Sequence, residues 1–416
     1  PVSISGTLLF VAALSIQPLV FLTFYRRENT FLNLIYVSSL WVASEWLRTI
    51  LLNGFCFSLG YSQSFLPQMA QLASLGGSYA VAFVIVMVNG GLYSAVVTRE
   101  KRAFYLSLAA IIFAANFMYG TSKLLAVHHD RTPVMVAGIQ PNIPRHDKLN
   151  PNLYDSNIET HITLTTKALQ VRKADLIIWP ETAFPWDLLN DPVWHGRIKQ
   201  LVRNSQTFFL LGVATFRNDQ NFNSALMFSP GGNLEGVTHK NHLVPFCEYF
   251  PKIKIFQWLQ DRLQFAGFDF TAGKQKQLFS MGLVRFGVLI CSESCYPQTA
   301  RRLSQNGSDF IVVMLNDGWF DKPAAMMIHA QNAVMRAIET GRDFISVANT
   351  GWTFRADHHG MVSAFLSLQR QETGIFPAIP RESQTVYARI GDIFSAACLL
   401  FVIITAFLRN KIYKRS

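Results

Sequence analysis

The stretch L-V-R-F-G-V-L-I-C-S-E-S-C-Y-P, residues 283–297, decides how the rest of the chain is read. It begins as a buried strand: Leu283, Val284, Phe286, Val288, Leu289 and Ile290 form an apolar run broken only by Arg285 and Gly287. The run stops at Cys291, small and polar residues follow, and Pro297 suits the first turn of a helix. A cysteine at a strand-to-turn junction projects its sulfur from a rigid edge, and the N–H groups after it can face a developing oxyanion. Buried cysteine is more often a small hydrophobe. The nucleophile reading therefore needs partners elsewhere in the chain.

The composition is that of a membrane protein or of a chain with a membrane part. Half of the 416 residues are hydrophobic, 34 are Phe, and 15% are charged, against roughly 25% in an average soluble protein. The net charge of +11 raises nucleic acid as a partner. The basic residues near the apolar segments instead form short flanking clusters, as topology signals do, so no nucleic acid is expected. Five unevenly spaced cysteines do not make a disulfide framework.

Apolar runs long enough to span a bilayer are expected at 6–25, 31–52, within 69–97 and at 104–127, and a shorter one at 393–408. The chain opens on Pro1 inside an apolar region, so further spans are expected upstream. In the second span Glu45 and Arg48 stand three apart, on one helical face, and read as a structural ion pair. Residues 53–66 read as a loop or re-entrant turn. Gly76, Gly77, Gly90 and Gly91 read as close-packing points in the third span. Basic clusters follow the first, third and fifth spans: Arg26 and Arg27; Arg99, Lys101 and Arg102; Arg409, Lys411, Lys414 and Arg415. Alternate crossings put all of them on one face, cytoplasmic by the positive-inside rule. The expected organisation is transmembrane helices over 1–127, a soluble domain over 128–390 on the opposite, periplasmic side of a bacterial inner membrane, and a last helix with a basic tail over 391–416.

Within 128–390 strands and helices alternate. Strands are expected at 133–139, 175–179, 208–213, 310–315, 344–348, 361–365 and 385–389, and a hairpin at 224–228 and 236–240 around Pro230-Gly231-Gly232. Helices are expected over 154–169 and over 325–340, the second stopped by Gly341. This is an α/β layered domain, its sheets covered by helices.

Chemistry-bearing residues stand at strand ends. Glu181, in D-L-I-I-W-P-E-T, is delivered by an apolar strand into a turn of Pro and aromatic residues, surroundings that suit a general base. Lys240, in H-K-N-H-L-V-P-F-C-E, ends another strand. Alone, Glu181 reads as a cap or surface carboxylate and Lys240 as a solvated amine. Together with Cys291 they make chemical sense: positive charge lowers a thiol pKa, Glu181 takes the proton, and Lys240 with the N–H of Ser292 holds an oxyanion.

W-P-E-T, H-K-N-H-L-V-P-F-x-E and L-I-C-x-E, in this order, resemble the nitrilase superfamily, whose αββα domain carries a Glu-Lys-Cys triad. L-N-D-G-W-F at 315–320, A-Q-N-A-V-M-R-A-I-E-T-G-R at 330–342 and the A-N-T-G that follows look like it too. With the apolar segments, nearly the whole chain resembles the bacterial apolipoprotein N-acyltransferases, a membrane-embedded family. Their pattern also includes W-x-x-x-E-W-L-R at 41–48, G-Y-S-Q at 60–63 and Y-A-R-I-G-D at 387–392. The resemblance implies a multi-pass helical membrane domain with a nitrilase-like αββα sandwich, and no cofactor or metal. It implies a thioester on Cys291 formed from a membrane phospholipid, then transfer to the α-amine of an apolipoprotein's diacylglyceryl-cysteine. It makes Glu181, Lys240 and Cys291 the triad. Glu248 then positions Lys240 or the amine, and Glu293 is a support residue. The alternatives are a membrane-tethered amidase of the superfamily, with water as acceptor, and a non-catalytic receptor that keeps the shape.

Ser292 stands where the family often has Tyr, and Cys247 where Gly is usual. Cys247 and Cys295 read as packing residues. The aromatic segment 246–270 reads as core or as an arm that dips into the bilayer. His358 and His359 lack the spacing of a metal site.

Overall fold

The computed structural model describes residues 4–126, 131–245, 247–249, 269–319 and 323–413. The proposed arm, apart from 247–249, Asp269 and Phe270, lies outside the described residues.

Among the described residues thirteen strands build two sheets. They are β1 (Val134–Gln140), β2 (Leu176–Ile178), β3 (Phe184–Asp187), β4 (Phe208–Arg217), β5 (Gln220–Phe228), β6 (Leu234–His239), β7 (Phe279–Met281), β8 (Val284–Ile290), β9 (Phe310–Leu315), β10 (Asp343–Ala348), β11 (Phe354–Ala356), β12 (Val362–Phe365) and β13 (Glu372–Ala378). The first sheet runs β13-β1-β2-β4-β5-β6, with β3 beside β4; the second runs β12-β11-β10-β9-β8-β7. In each sheet three central strands are parallel: β1, β2 and β4, and β8, β9 and β10.

The sequence explains the layering. Parallel strands covered on both faces read as continuous apolar runs, and alternate residues then go to opposite layers. Ile178 and Leu210 meet Val288, Ile290, Val312 and Val347 in the space between the sheets. Ile177, Trp179 and Leu211 turn outward, where Ile158 and Leu164 of helix Tyr154–Val171 and Ile198 of helix Pro192–Ser205 cover them. Leu289, Ile311, Val313 and Phe344 turn the other way, onto helices Pro297–Gln305 and Pro323–Thr340. The result is an αββα sandwich. Each fully buried Leu, Ile or Val contributes about 1.5–3 kcal/mol to holding it together.

Helix Pro323–Thr340 is also the joint to the rest of the chain. Gly341 ends it at φ +68°. Ala333, Val334 and Ala337 face the sheet, while Met335 and Ile338 pack against Val42, Tyr79, Val81 and Cys398 of the apolar helices. Those helices are Ile4–Phe24, Phe31–Leu51, Ala73–Val97, Arg102–Leu124 and Ile393–Tyr413. They turn large apolar side chains outward: Leu22 is 67% exposed, Val96 70%, Ile111 64% and Phe407 60%. That is the reverse of a water-soluble bundle. By length and hydropathy, Ala73–Val97 and the stretch Arg99–Leu124 are apolar enough to cross a bilayer; Leu14–Phe24 and Ile393–Leu408 are shorter apolar helices.

Three expectations are corrected. Residues 385–389 are not a strand. The Thr385 hydroxyl accepts from the Ala388 N–H and starts helix Val386–Ile390; the β-branched pair Thr385-Val386 favours a strand locally, and five residues are too few to display a helical period. Glu45 and Arg48 do not form an ion pair within 4 Å. Glu45 accepts from Trp41, Ser58 and the Leu59 N–H, and Arg48 donates to Gln17 and to the Phe57 carbonyl, so both groups tie down the 57–59 loop. Cys247 is exposed rather than packed. Strands β3, β7, β11 and β13 were not anticipated.

The four glycines of the third span do mark close approaches, and Gly77 does more. It lies at φ +70°, breaking the helical path, and a Cβ there would stand 2.7 Å from the Tyr387 ring. The Ser78 N–H freed by the break donates to buried Glu339 at 2.9 Å, on the joint helix. Gly77→Ala is expected to cost about 1–3 kcal/mol, from positive φ and overpacking together. A lowered apparent melting temperature in detergent checks this; an unchanged one would mean that the break relaxes.

Candidate active site

The site lies where the strand ends of both sheets meet. β2 ends at Ile178, and the chain turns through Trp179 and Pro180 to Glu181. Gly212 in β4 makes room for this turn, since a Cβ there would sit 2.2 Å from the Pro180 carbonyl oxygen. β6 ends at His239, and the Lys240 N–H donates to the Asn223 carbonyl on β5, fixing its lysine at the edge. β8 ends at Ile290, and Cys291 opens the tight turn Cys291–Cys295. Cys291 has φ +54° and Thr182 φ +48°, a region that costs an L-residue about 1–2 kcal/mol. Strain of this kind persists where surrounding structure over-determines it.

Glu181 and Lys240 are buried and converge, Lys240 Nζ lying 3.7 Å from Glu181 Oε1. Lys240 also donates to Glu248 Oε1 at 2.9 Å and lies 2.8 Å from its Oε2. Burial pulls the Lys240 ammonium down in pKa, but Glu248, Cys291 and Glu181 together hold it well above the ordinary lysine value. Glu181 Oε1 accepts from Asn223 Nδ2 at 2.8 Å, and the same amide reaches Glu248 Oε1 at 3.2 Å. Glu181 Oε2 is buried with no hydrogen-bond partner among the described residues. Glu293 accepts from the N–H groups of Ile290 and Asn241, at 2.8 and 2.7 Å, and pairs with buried Lys276 at 2.6 Å. It thereby ties the Cys291 turn to the loop after Lys240. Ser292 is buried beside the thiol.

The thiol itself departs from expectation. Burial, followed by the negative charge of Glu181, raises the Cys291 pKa well above its ordinary value, and Lys240 offsets this only in part. The resting cysteine is a thiol that needs a base, not a preformed thiolate. Asp317, after β9, adds to the same push; its Oδ1 lies 2.7 Å from His329 Nδ1. The His358 and His359 rings lie against each other, centroids 3.8 Å apart and tilted by 40°, and among the described residues no group of three His, Cys, Asp or Glu is placed to hold a metal.

Residues 135–388 match the carbon-nitrogen hydrolase family, and residues 1–91 match the apolipoprotein N-acyltransferase N-terminal domain. Over 98% of its length the chain is 31% identical to the apolipoprotein N-acyltransferase of Geobacter metallireducens, spanning 80% of that protein. The chain belongs to the apolipoprotein N-acyltransferase family. The protein of that name from Methylococcus capsulatus is 30% identical over 86% of this chain and 70% of its own, and the one from Thermotoga maritima 27% identical over 93% and 73%. Among solved structures, a carbon-nitrogen hydrolase from Helicobacter pylori aligns over 62% of this chain and 94% of its own, with 16% identity and a TM-score of 0.48.

Three residues around the candidate site were not legible as such. Asn223 stands just before the strand expected at 224–228 and reads as a polar loop residue, whereas β5 begins at Gln220 and includes it. Lys276, in K-Q-K, reads as solvated charge. Lys148 sits in a polar stretch, yet it is buried and its Nζ donates to the Glu181 carbonyl at 2.8 Å.

Proposed function

We propose that this chain performs its family's N-acylation of apolipoproteins by a two-step route through Cys291, with a membrane phospholipid as donor. In the first step Glu181 takes the Cys291 proton, the sulfur attacks the ester carbonyl carbon, and Lys240 with the Ser292 N–H stabilises the oxyanion. The C–O bond breaks, and the proton on Glu181 passes to the leaving lysophospholipid oxygen. In the second step the α-amine of the acceptor's S-diacylglyceryl-cysteine attacks the thioester. The C–S bond breaks, the amine's proton passes by way of Glu181 to sulfur, and an amide remains. Glu248 holds Lys240, and Glu293 holds the turn that carries the nucleophile.

The observation that carries this reading is the setting of Cys291. A partly buried thiol at positive φ feels the charge of Glu181, whose second oxygen has no partner among the described residues, and of Lys240. Support for a bilayer setting comes from the outward apolar faces of the helices that precede and follow the αββα layers in the chain. Both substrates are lipids, so a site at the bilayer surface meets them without extracting either into water. The five-span arrangement, with 128–390 on the periplasmic side, belongs to the same proposal, and exposed Cys247 tests it. A membrane-impermeant maleimide added to spheroplasts is expected to label Cys247; labelling only after lysis would reverse the topology.

The reaction is tested by intact-protein mass spectrometry after incubation with phosphatidylethanolamine. A fatty-acyl adduct that a diacylglyceryl-cysteine peptide removes, gaining the acyl group on its amine, is the expected result. An adduct released only by water would make the chain a hydrolase.

A further inference from the structure

We propose that Lys148 is a positioning residue of the acyl-transfer site: it pins the Glu181 turn through its main-chain carbonyl and sets a second positive charge beside Glu181 and Cys291. The inference rests on the assignment of those two residues in the preceding section.

Lys148 ends the short helix Arg145–Lys148 and is 5% exposed. Its Nζ donates to the Glu181 main-chain oxygen at 2.8 Å. No carboxylate among the described residues lies within 4 Å of it, in contrast to Lys240, which has Glu181 and Glu248, and Lys276, which has Glu293. A buried ammonium without a carboxylate is a cost to the fold. A Met of similar length would fill the same space without that cost, so the charge calls for a reason in the site's chemistry. The groups that act on it are Glu181, at the end of β2, and Cys291, at the end of β8. Its own charge reaches buried His161 on helix Tyr154–Val171, whose imidazole burial already pushes down to about 3, so that side presents no competing charge at neutral pH. Burial lowers the Lys148 ammonium to about 7 even with Glu181 and Cys291 opposing it.

In this place a cation favours the ionised site during attack. It acts on both Glu181 and the thiol, as Lys240 does, but unlike Lys240 it is not paired with Glu248. Its charge leaves near neutral pH, so its help to thiolate formation is strongest below about pH 7 and fades above it.

The test compares wild type with Lys148→Met, Lys148→Gln and Lys148→Arg in the full-length enzyme, reading peptide-resolved iodoacetamide alkylation of Cys291 and lysophospholipid release from pH 6 to 9. Lys148→Met and Lys148→Gln are expected to slow both by about tenfold or more at pH 6, as loss of one nearby opposite charge does. The gap should narrow as pH rises through 7. Lys148→Arg, with permanent charge, should keep its rate at pH 9. Apparent melting temperatures of the Met variant should hold or rise, most of all below pH 7, where wild type carries the full burial penalty. A merely structural Lys148 gives the opposite pattern: a lowered melting temperature with a wild-type pH profile, or a Gln variant as active as wild type at every pH. Either overturns the proposal. Failure of the catalytic assignment is separable, because it appears as an acyl adduct on Cys291→Ala whatever residue 148 is.

Discussion

Replacing Cys291 with Ala is expected to abolish the acyl adduct and to lower lysophospholipid release by ~10⁴-fold or more, the scale on which loss of a covalent nucleophile is felt. The fold should tolerate the change. Cys291 is partly exposed at the end of β8 and borders the inter-sheet core without filling it. Ala at φ +54° bears the same backbone strain as Cys. The chemical form of the thiol sharpens the expectation. Burial and then Glu181 hold its pKa well above the ordinary cysteine value, so alkylation of wild-type Cys291 should keep rising with pH beyond 9. At neutral pH the proton leaves during attack and must have an acceptor. Glu181→Gln removes that acceptor while keeping shape and the Asn223 contact, and should approach the Cys291→Ala loss. A fatty-acyl adduct persisting on Cys291→Ala would place the nucleophile elsewhere.

Lys240→Met is expected to damage both fold and chemistry, and the two can be separated. Lys240 Nζ stands 2.8 Å from Glu248 and 3.7 Å from Glu181, all three side chains largely buried. Removing the cation leaves facing carboxylates with nothing between them. Breaking a buried pair in this way costs about 3–5 kcal/mol. Loss of an oxyanion donor costs about 10²–10³-fold in turnover. Pairing Lys240→Met with Glu248→Leu removes most of the stranded charge, so the melting temperature should recover while turnover does not. Recovery of both would mean that Lys240 serves the fold alone. Glu248→Gln by itself should act through Lys240, lowering turnover by about tenfold as an outer-shell hydrogen-bond partner does.

Much of this was legible in local patterns. The apolar runs ending at Ile178 and Ile290 announce buried parallel strands, because a strand covered on both faces has no polar side to show. The candidate residues Glu181 and Cys291 follow directly at those ends, in turns marked by Pro180 and by the small residues after Cys291. Outward apolar helices are equally plain in composition. Short or weakly patterned segments were not legible: β3 and β11 owe their pairing to β4 and β10, and residues 385–389 became helical through a cap that no periodicity displays.

The sequence by itself determined which side chains could do the chemistry, which strands deliver them and that the chain meets a membrane, since each rests on residue type and spacing within a few turns of backbone. Tertiary structure alone decided their protonation and their partners. Glu45 and Arg48 share a helix face yet hydrogen-bond to the 57–59 loop instead of to each other. Cys291 is a thiol and not a thiolate, because desolvation and Glu181 outweigh Lys240. Lys148, set in an unremarkable polar stretch, ends under the Glu181 carbonyl. Charge and burial act through space over a few ångströms, between residues far apart in the chain, and such distances exist only once the layers have closed.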